Sequence, residues 1–379
     1  MVAAIILAGF TKLRLGAFGL SEVIVILLLM TLLLNRDRFR VSRMVFAQFW
    51  FLILALNWVG LLINVFLEID SLSIQSGSAR FDMIAYFYML VLCFTFESIL
   101  TKFSYEEIWS LIKRVFYSSI LVIGVLFLLA QFRQTVFGVS LYYEGIRFSP
   151  LADNPHQINI LTSTLPFIGF RIFKETESVR GRLTTASFLV ACLFMNFLTL
   201  SDTMKIVYIV CFYLMIVIHE KANRQKKPYY VFAVFVSLIL LVGIACSWER
   251  FVDLLVKFFE EGDSGGVRFL LWRNSVQAGM HSPIFGLGPG AHTGLYGPFE
   301  GIESHQMLLA VFTQTGLIGL VLLMVLLFKV ISVVHSDKYI FIVVVGLLVS
   351  SLSGTMLRRT VWWMYIMMYY YLAKKVELQ

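Results

Sequence analysis

The sequence predicts an all-α fold: a polytopic transmembrane helical bundle of about 12 TM helices. It forms one integral membrane domain over 1–379, with a large outer loop at 249–304 that contains short helices. Three observations predict this. The chain is 59% hydrophobic and only 14% charged, with a mean hydropathy of +0.84, whereas a soluble domain carries about a quarter charged residues. The apolar residues come in long blocks and not in amphipathic stripes. Basic clusters recur between those blocks at intervals that put them on one side of a membrane.

A spanning helix needs about 20 apolar residues. The blocks place helices at about 2–16, 19–35, 45–67, 81–99, 115–131, 155–171, 184–200, 203–219, 230–248, 305–329, 339–354 and 359–373. Lys12, Arg14 and Gly16 interrupt the start, so residues 1–35 read as a broken hairpin. With this helix count, Arg36 to Arg43, Lys102 to Arg114, Arg171 to Arg182, Lys221 to Lys227, Lys329 with Lys338, and Lys374 with Lys375 all share one side. The positive-inside rule makes that side, and both termini, cytoplasmic.

The outer side then receives 68–80, 132–154, turns at 201–203 and near 355–358, and the 249–304 loop. Long ordered loops usually carry function. In the largest loop, 249–262 reads as an amphipathic helix with Phe251, Leu254, Leu255, Phe258 and Phe259 on one face, suited to a membrane surface. A second helix at 267–280 is stopped by Ser282 and Pro283. A glycine-rich run follows, from Gly286 to Gly301.

The net charge of +8 resides largely in the topology clusters, which argues against nucleic-acid binding. Cys93, Cys192, Cys211 and Cys246 lie in apolar blocks without CxxC or Cys/His spacing, and read as small buried hydrophobes. The outer histidines fit no compact ligand set, and no outer Asp-x-Asp pair occurs, so no metal and no cofactor is expected. Gly286-x-Gly288-x-Gly290 follows no strand, which excludes a dinucleotide fingerprint; a tight loop for close backbone approach suits it better.

The outer segments hold Arg80, Arg133, Arg147, Arg250, Lys257, Arg268, Arg273, Arg358 and Arg359. All but one are arginines. A guanidinium forks onto phosphate bidentately where an ammonium is a point charge, so this face suits a diphosphate at the lipid surface. Salt bridges to outer acids such as Glu144 and Asp253 account for the same residues equally well. His305 follows Ser304, read as the N-cap of the tenth helix. The positive helix end disfavours imidazolium, and a neutral imidazole accepts a proton near pH 7. A general base and an interfacial histidine without a role both remain open.

The segment GVRFLLWRNSVQAGMHSPIFGLGPGAH at 266–292 resembles the C-terminal signature of the O-antigen ligase/polymerase superfamily: Arg, then Trp, then a His/Pro turn, then Gly-x-Gly. His305-Gln306 followed by Gly316-Leu317-Ile318-Gly319 resembles that family's next motif, and RFSPLADNPHQINIL at 147–161 its outer-loop Arg before an Asn-Pro helix start. The long loop between the ninth and tenth helices also agrees. Ser201-Asp202-Thr203-Met204-Lys205 departs from the family's Ser-Arg turn; Lys205 stands one turn later.

The resemblance implies a GT-C-like, metal-independent, inverting glycosyltransferase in the bacterial inner membrane, with a periplasmic active site. Its substrates would be an undecaprenyl-diphosphate-linked glycan donor and a glycan acceptor. A flippase and a chain-length regulator are implied partners. Carried over by motif, His305 would be the catalytic base, and Arg147 and Arg268 would hold the diphosphate, with Arg273, Arg358 and Arg359 as further candidates. Asn154, His156, Gly286, Gly288, Gly290 and Gln306 would line the sugar or acceptor pocket. An O-antigen or exopolysaccharide polymerase is favoured over a ligase acting on lipid A–core (lipopolysaccharide). A transporter or flippase is the third alternative. It would want buried acids and repeated halves; Glu22 and Glu97 are the acids seen in apolar blocks, and no repeat is visible.

Overall fold

The computed structural model describes residues 1–15, 18–35, 44–66, 78–136, 138–222, 264–297, 299–352 and 354–377. The helices expected at 230–248 and 249–262, with Arg250 and Lys257, lie outside these residues. Among the described residues, five helices are long and apolar enough to cross a membrane: Val45–Phe66, Ala79–Leu100, Tyr105–Ala130, Val179–Leu198 and Met307–Val334. Leu20–Leu34 and Lys338–Ser351 are shorter apolar helices.

The chain begins with α1 (Val2–Leu7), a two-residue hairpin of β1 (Arg14–Leu15) and β2 (Phe18–Gly19), and α2 (Leu20–Leu34). The first expected helix therefore stops at Leu7, well short of residue 16, and the hairpin takes up the polar interruption. Next come α3 (Val45–Phe66), α4 (Ser78–Leu100) and α5 (Tyr105–Ala130). Helix α5 starts ten residues before the expected 115, because Ser104 and Glu107 form a capping box, with Glu107 N donating to Ser104 Oγ at 3.2 Å.

The segment after α5 folds into two small antiparallel hairpins, β3 (Thr135–Val136) with β4 (Val139–Ser140), and β5 (Tyr142–Tyr143) with β6 (Arg147–Phe148). The single helix expected at 155–171 is two, α6 (Pro155–Thr162) and α7 (Leu165–Glu175). Pro166 sits in the first turn of α7, where its missing N–H costs nothing; continued helix through that position would lose a bond. Then follow α8 (Val179–Leu198), α9 (Asp202–Ala222), α10 (Ser264–Gly279), α11 (Met307–Val334), α12 (Lys338–Ser351) and α13 (Thr360–Glu377).

Helix α13 is the axis of the bundle. Every residue from Val361 to Ala373 is buried, and it packs on α1, α4, α5, α6, α11 and α12. A helix apolar all round belongs in the interior. Its aromatic groups find partners there: Tyr365 Oη donates to Leu161 O at 2.8 Å, Tyr371 Oη to Glu97 at 2.7 Å, and Trp362 Nε1 to Leu347 O at 2.9 Å. Outward, α11 presents Leu317, Val321, Met324, Val325 and Phe328, all exposed. That stripe suits acyl chains and not water.

The two ends of the bundle are chemically distinct. At one end Arg171 pairs with Glu175 at 2.9 Å and Asp337 at 2.5 Å, and donates to Tyr105 Oη at 2.8 Å. Lys375 donates to Thr101 O at 3.1 Å on the same side. The opposite end gathers the arginines and histidines singled out from the sequence.

Candidate active site

Arg147 leaves β6 and reaches the carbonyl-rich end of α8. Its Nε donates to Thr199 O at 3.2 Å and its Nη2 to Leu200 O at 3.4 Å. The negative end of a helix attracts a cation, so this guanidinium is aimed by backbone. His156 stands in the first turn of α6, whose start is fixed by Asn154: its Oδ1 accepts from Gln157 N at 3.3 Å, and Pro155 follows. Asn154 is thus a cap as well as a candidate pocket residue. His156 Nδ1 lies 3.4 Å from Ser201 Oγ. Lys205 does not turn inward; it pairs with Asp202 at 2.7 Å on an exposed surface.

Arg268 is half-buried on α10. Arg273, five residues on, is exposed; five residues are about 140° around a helix, so the two do not share a face.

His305 departs from its expected position. The N-cap of α11 is Gln306, whose Oε1 accepts from Leu309 N at 2.6 Å, and the helix begins at Met307. His305 lies outside, with φ +52°. Left-handed backbone is uncommon for a residue other than glycine and tends to collect at functional sites. Ser304 Oγ donates instead to Gln306 O at 3.1 Å. Although His305 is exposed, the surrounding protein partly desolvates it, and Arg268 and Arg359 add positive potential. Together these hold His305 below the ordinary imidazole range, that is, neutral.

These groups form one cluster. Arg147, Arg268, His305 and Arg359 all lie within electrostatic reach of His156. Asp153 opposes the charge of Arg359. Arg358 differs: it is clamped between Asp82, at 2.5 Å, and Glu303. Arg147, Arg268, Arg359 and His305 are therefore brought together, Arg358 is committed to carboxylates, and Arg273 stands apart.

Asp82 was missed by the sequence reading. It is fully buried near the start of α4 and accepts from Gly290 N at 3.0 Å, with His292 Nε2 at 3.4 Å. Its signal was legible: a lone acid just inside an apolar block.

Gly286, Gly288 and Gly316 are positions of close packing. Gly316 breaks α11 with φ +64°, and residues 283–288 lie along the opened backbone. Leu287 N donates to Thr313 O at 2.9 Å, Gly288 N to Gln314 O at 3.0 Å, and Leu317 N to Pro283 O at 2.8 Å. A Cβ on Gly286 would overlap Gln314 backbone, and one on Gly288 would stand 2.6 Å from Leu61 N of α3. The close approach expected of these glycines is real, but the backbone approached is the protein's own. Gln306 likewise serves as a cap.

Residues 187–324, about a third of the chain, match the family model described as O-Antigen ligase. The resemblance to the O-antigen ligase/polymerase superfamily therefore holds. The O-antigen ligase match spans Arg268, the glycine run, His305 and the opened α11, while Arg147, His156, Arg358 and Arg359 lie beyond it. Comparison with curated proteins gives no match. Among the described residues no group of His, Cys, Asp and Glu is arranged to hold a metal ion.

Proposed function

We propose that this chain is a membrane glycosyltransferase that polymerises oligosaccharide repeat units carried on undecaprenyl diphosphate, at the periplasmic face of the bacterial inner membrane. The observation that carries the proposal is a neutral imidazole among guanidiniums: His305, with Arg268 and Arg359 acting on it and Arg147 on the neighbouring His156. Neutral His305 takes the proton from an acceptor hydroxyl. That oxygen attacks the anomeric carbon, the bond to the carrier's phosphate oxygen breaks, and the diphosphate leaves with the bonding electrons. Attack opposite the leaving group inverts the anomeric centre. Arg147, Arg268 and Arg359 stabilise the charge that develops on the diphosphate. A twelve-span, GT-C-like bundle with both termini cytoplasmic is part of the same proposal.

A ligase transferring finished glycan to lipid A–core is the second reading, favoured by the description of the matched family. A flippase is less well supported, because the buried acids already hold structural partners: Glu97 accepts from Ala47 N at 2.7 Å and from Tyr371, and Asp82 from Arg358 and Gly290.

The test is surface-glycan gel analysis of cells carrying a deletion or His305→Ala. Loss of the ladder with one retained unit identifies the polymerase; loss of all glycan from lipid A identifies the ligase. A normal ladder with a correctly inserted His305→Ala protein would remove the base and the proposal with it.

A further inference from the structure

Beside the cluster lies a cavity of about 290 Å³, walled by the N-terminal hairpin on one side and by the start of α6 and of α13 on the other. That is near the lower end of ligand pockets, roughly 300–1,000 Å³. Asp153 and Gln157 come to it from the 147–161 motif and Arg358 and Arg359 from the diphosphate candidates, while its N-terminal wall carries no motif.

Its lining alternates in character. Phe10, Ser21 and Gln157 are buried at its walls, and Arg14 and Asp153 are exposed at its mouth. Glu22 lines it from α2, and Arg359 from the side of His305. The segment leading into the hairpin is tied to the start of α6 by hydroxyl and amide groups: Thr11 Oγ1 donates to Asp153 at 2.8 Å and lies against Gln157 Oε1, and Asp153 N donates to Gln157 Oε1 at 3.0 Å.

Three ligand chemistries compete for such a space. An acyl or prenyl chain would leave Asp153, Glu22 and Gln157 facing hydrocarbon, which is costly. A bare phosphate would meet Arg14, Arg358 and Arg359, but Glu22 and Asp153 repel it and Arg358 is already paired with Asp82 and Glu303. A polyol uses everything present. Carboxylates and the amide accept from hydroxyls, guanidiniums donate to ring and hydroxyl oxygens, and Leu7, Phe10 and Val361 cover the C–H faces.

We infer that this cavity is an oligosaccharide-binding subsite, in which Thr11, Arg14, Glu22, Asp153 and Gln157 hold one or two sugar residues of a glycan whose reacting end lies at His305. It rests on the glycan-joining reading for the direction in which the sugar chain runs. Arg359 is the residue shared between the two sites, since it lines the cavity and acts on the charge of His305.

The experiment measures binding without turnover. The full-length protein in detergent is titrated with oligosaccharide released by mild acid from the host's surface polysaccharide, and binding is read by saturation-transfer NMR. Wild type and His305→Ala should bind alike. Ala8→Trp, which fills the cavity from the end of α1, and Asp153→Asn, which keeps the size of the side chain and an oxygen to accept from Thr11, should each weaken binding roughly tenfold or more, with melting in detergent like that of wild type. Equal binding by all four proteins, or none by wild type, overturns the subsite. Those results differ from failure of the joining reaction, which shows as binding in the cavity together with an unchanged glycan ladder in His305→Ala cells.

Discussion

Asp82 Oδ1 and Arg358 Nη1 stand 2.5 Å apart, joining two residues 276 positions apart in the chain at the arginine-rich end of the bundle. The carboxylate has no exposed surface and also holds Gly290 N–H. One acid on α4 thereby fixes both the glycine run and the segment that leads into α13. Asp82→Ala should lower stability by roughly 1.5–3 kcal/mol, the worth of charge-assisted hydrogen bonds. Asp82→Asn, which still accepts from Gly290, should lose less. Thermal unfolding in detergent reads this, and equal melting of Asp82→Ala and wild type would release Asp82 from its anchoring role.

The pH profile of glycan joining should report His305. Its folded value lies below the ordinary imidazole, so the base stays deprotonated through neutrality and into mildly acidic solution. Activity should be level there and fall only on stronger acidification. Arg268→Ala removes one of the two charges that lower it, so the acid limb should move to higher pH. An acid limb unmoved in that variant would detach Arg268 from His305.

Arg147 and Arg268 should each be needed for turnover. Alanine at either should cost roughly 10²-fold in rate, the usual scale for one lost stabilising donor. Lysine should restore only part, since an ammonium cannot fork. Arg273→Ala, on an exposed face, should lose far less. A reversed order, with Arg273 the sensitive residue, would point to another phosphate site.

Backbone packing around Gly316 should be intolerant of any side chain. Gly316→Ala meets the Ile284 carbonyl, and Gly286→Ala meets Gln314. With positive φ at both positions, each should destabilise by roughly 1–3 kcal/mol. Both proteins melting like wild type would mean the loop is not held as described.

Turnover should survive treatment with a divalent-cation chelator. Loss of activity that a divalent cation restores would replace the arginine-only account of leaving-group stabilisation.

Which parts were legible follows from what each signal measures. Apolar block length located α3, α4, α8 and α11, because lipid demands length above all. It could not see the break before Pro166 or the early start of α5, where one proline and one capping box decide. Motif spacing singled out Arg147, Arg268 and His305, and all three lie within electrostatic reach of His156. The packing of Gly286 and Gly288 on the protein's own backbone was not readable, because a glycine needed for close approach looks the same whether the neighbour is ligand or backbone. Asp82 escaped notice because its one signal, a lone acid at the edge of an apolar block, names no partner, and its partners Gly290, His292 and Arg358 stand at least 208 positions later in the chain.

The seam between residues 283–288 and the opened α11 also sets an order of biogenesis. The loop's N–H and C=O groups find acceptors and donors on residues 313–318, and Asn64 of α3 donates to Leu287 O at 3.0 Å. A nascent chain halted before residue 318 holds only the α3 half of that docking surface. The loop therefore finds its full set of backbone partners only once α11 has been delivered by the ribosome.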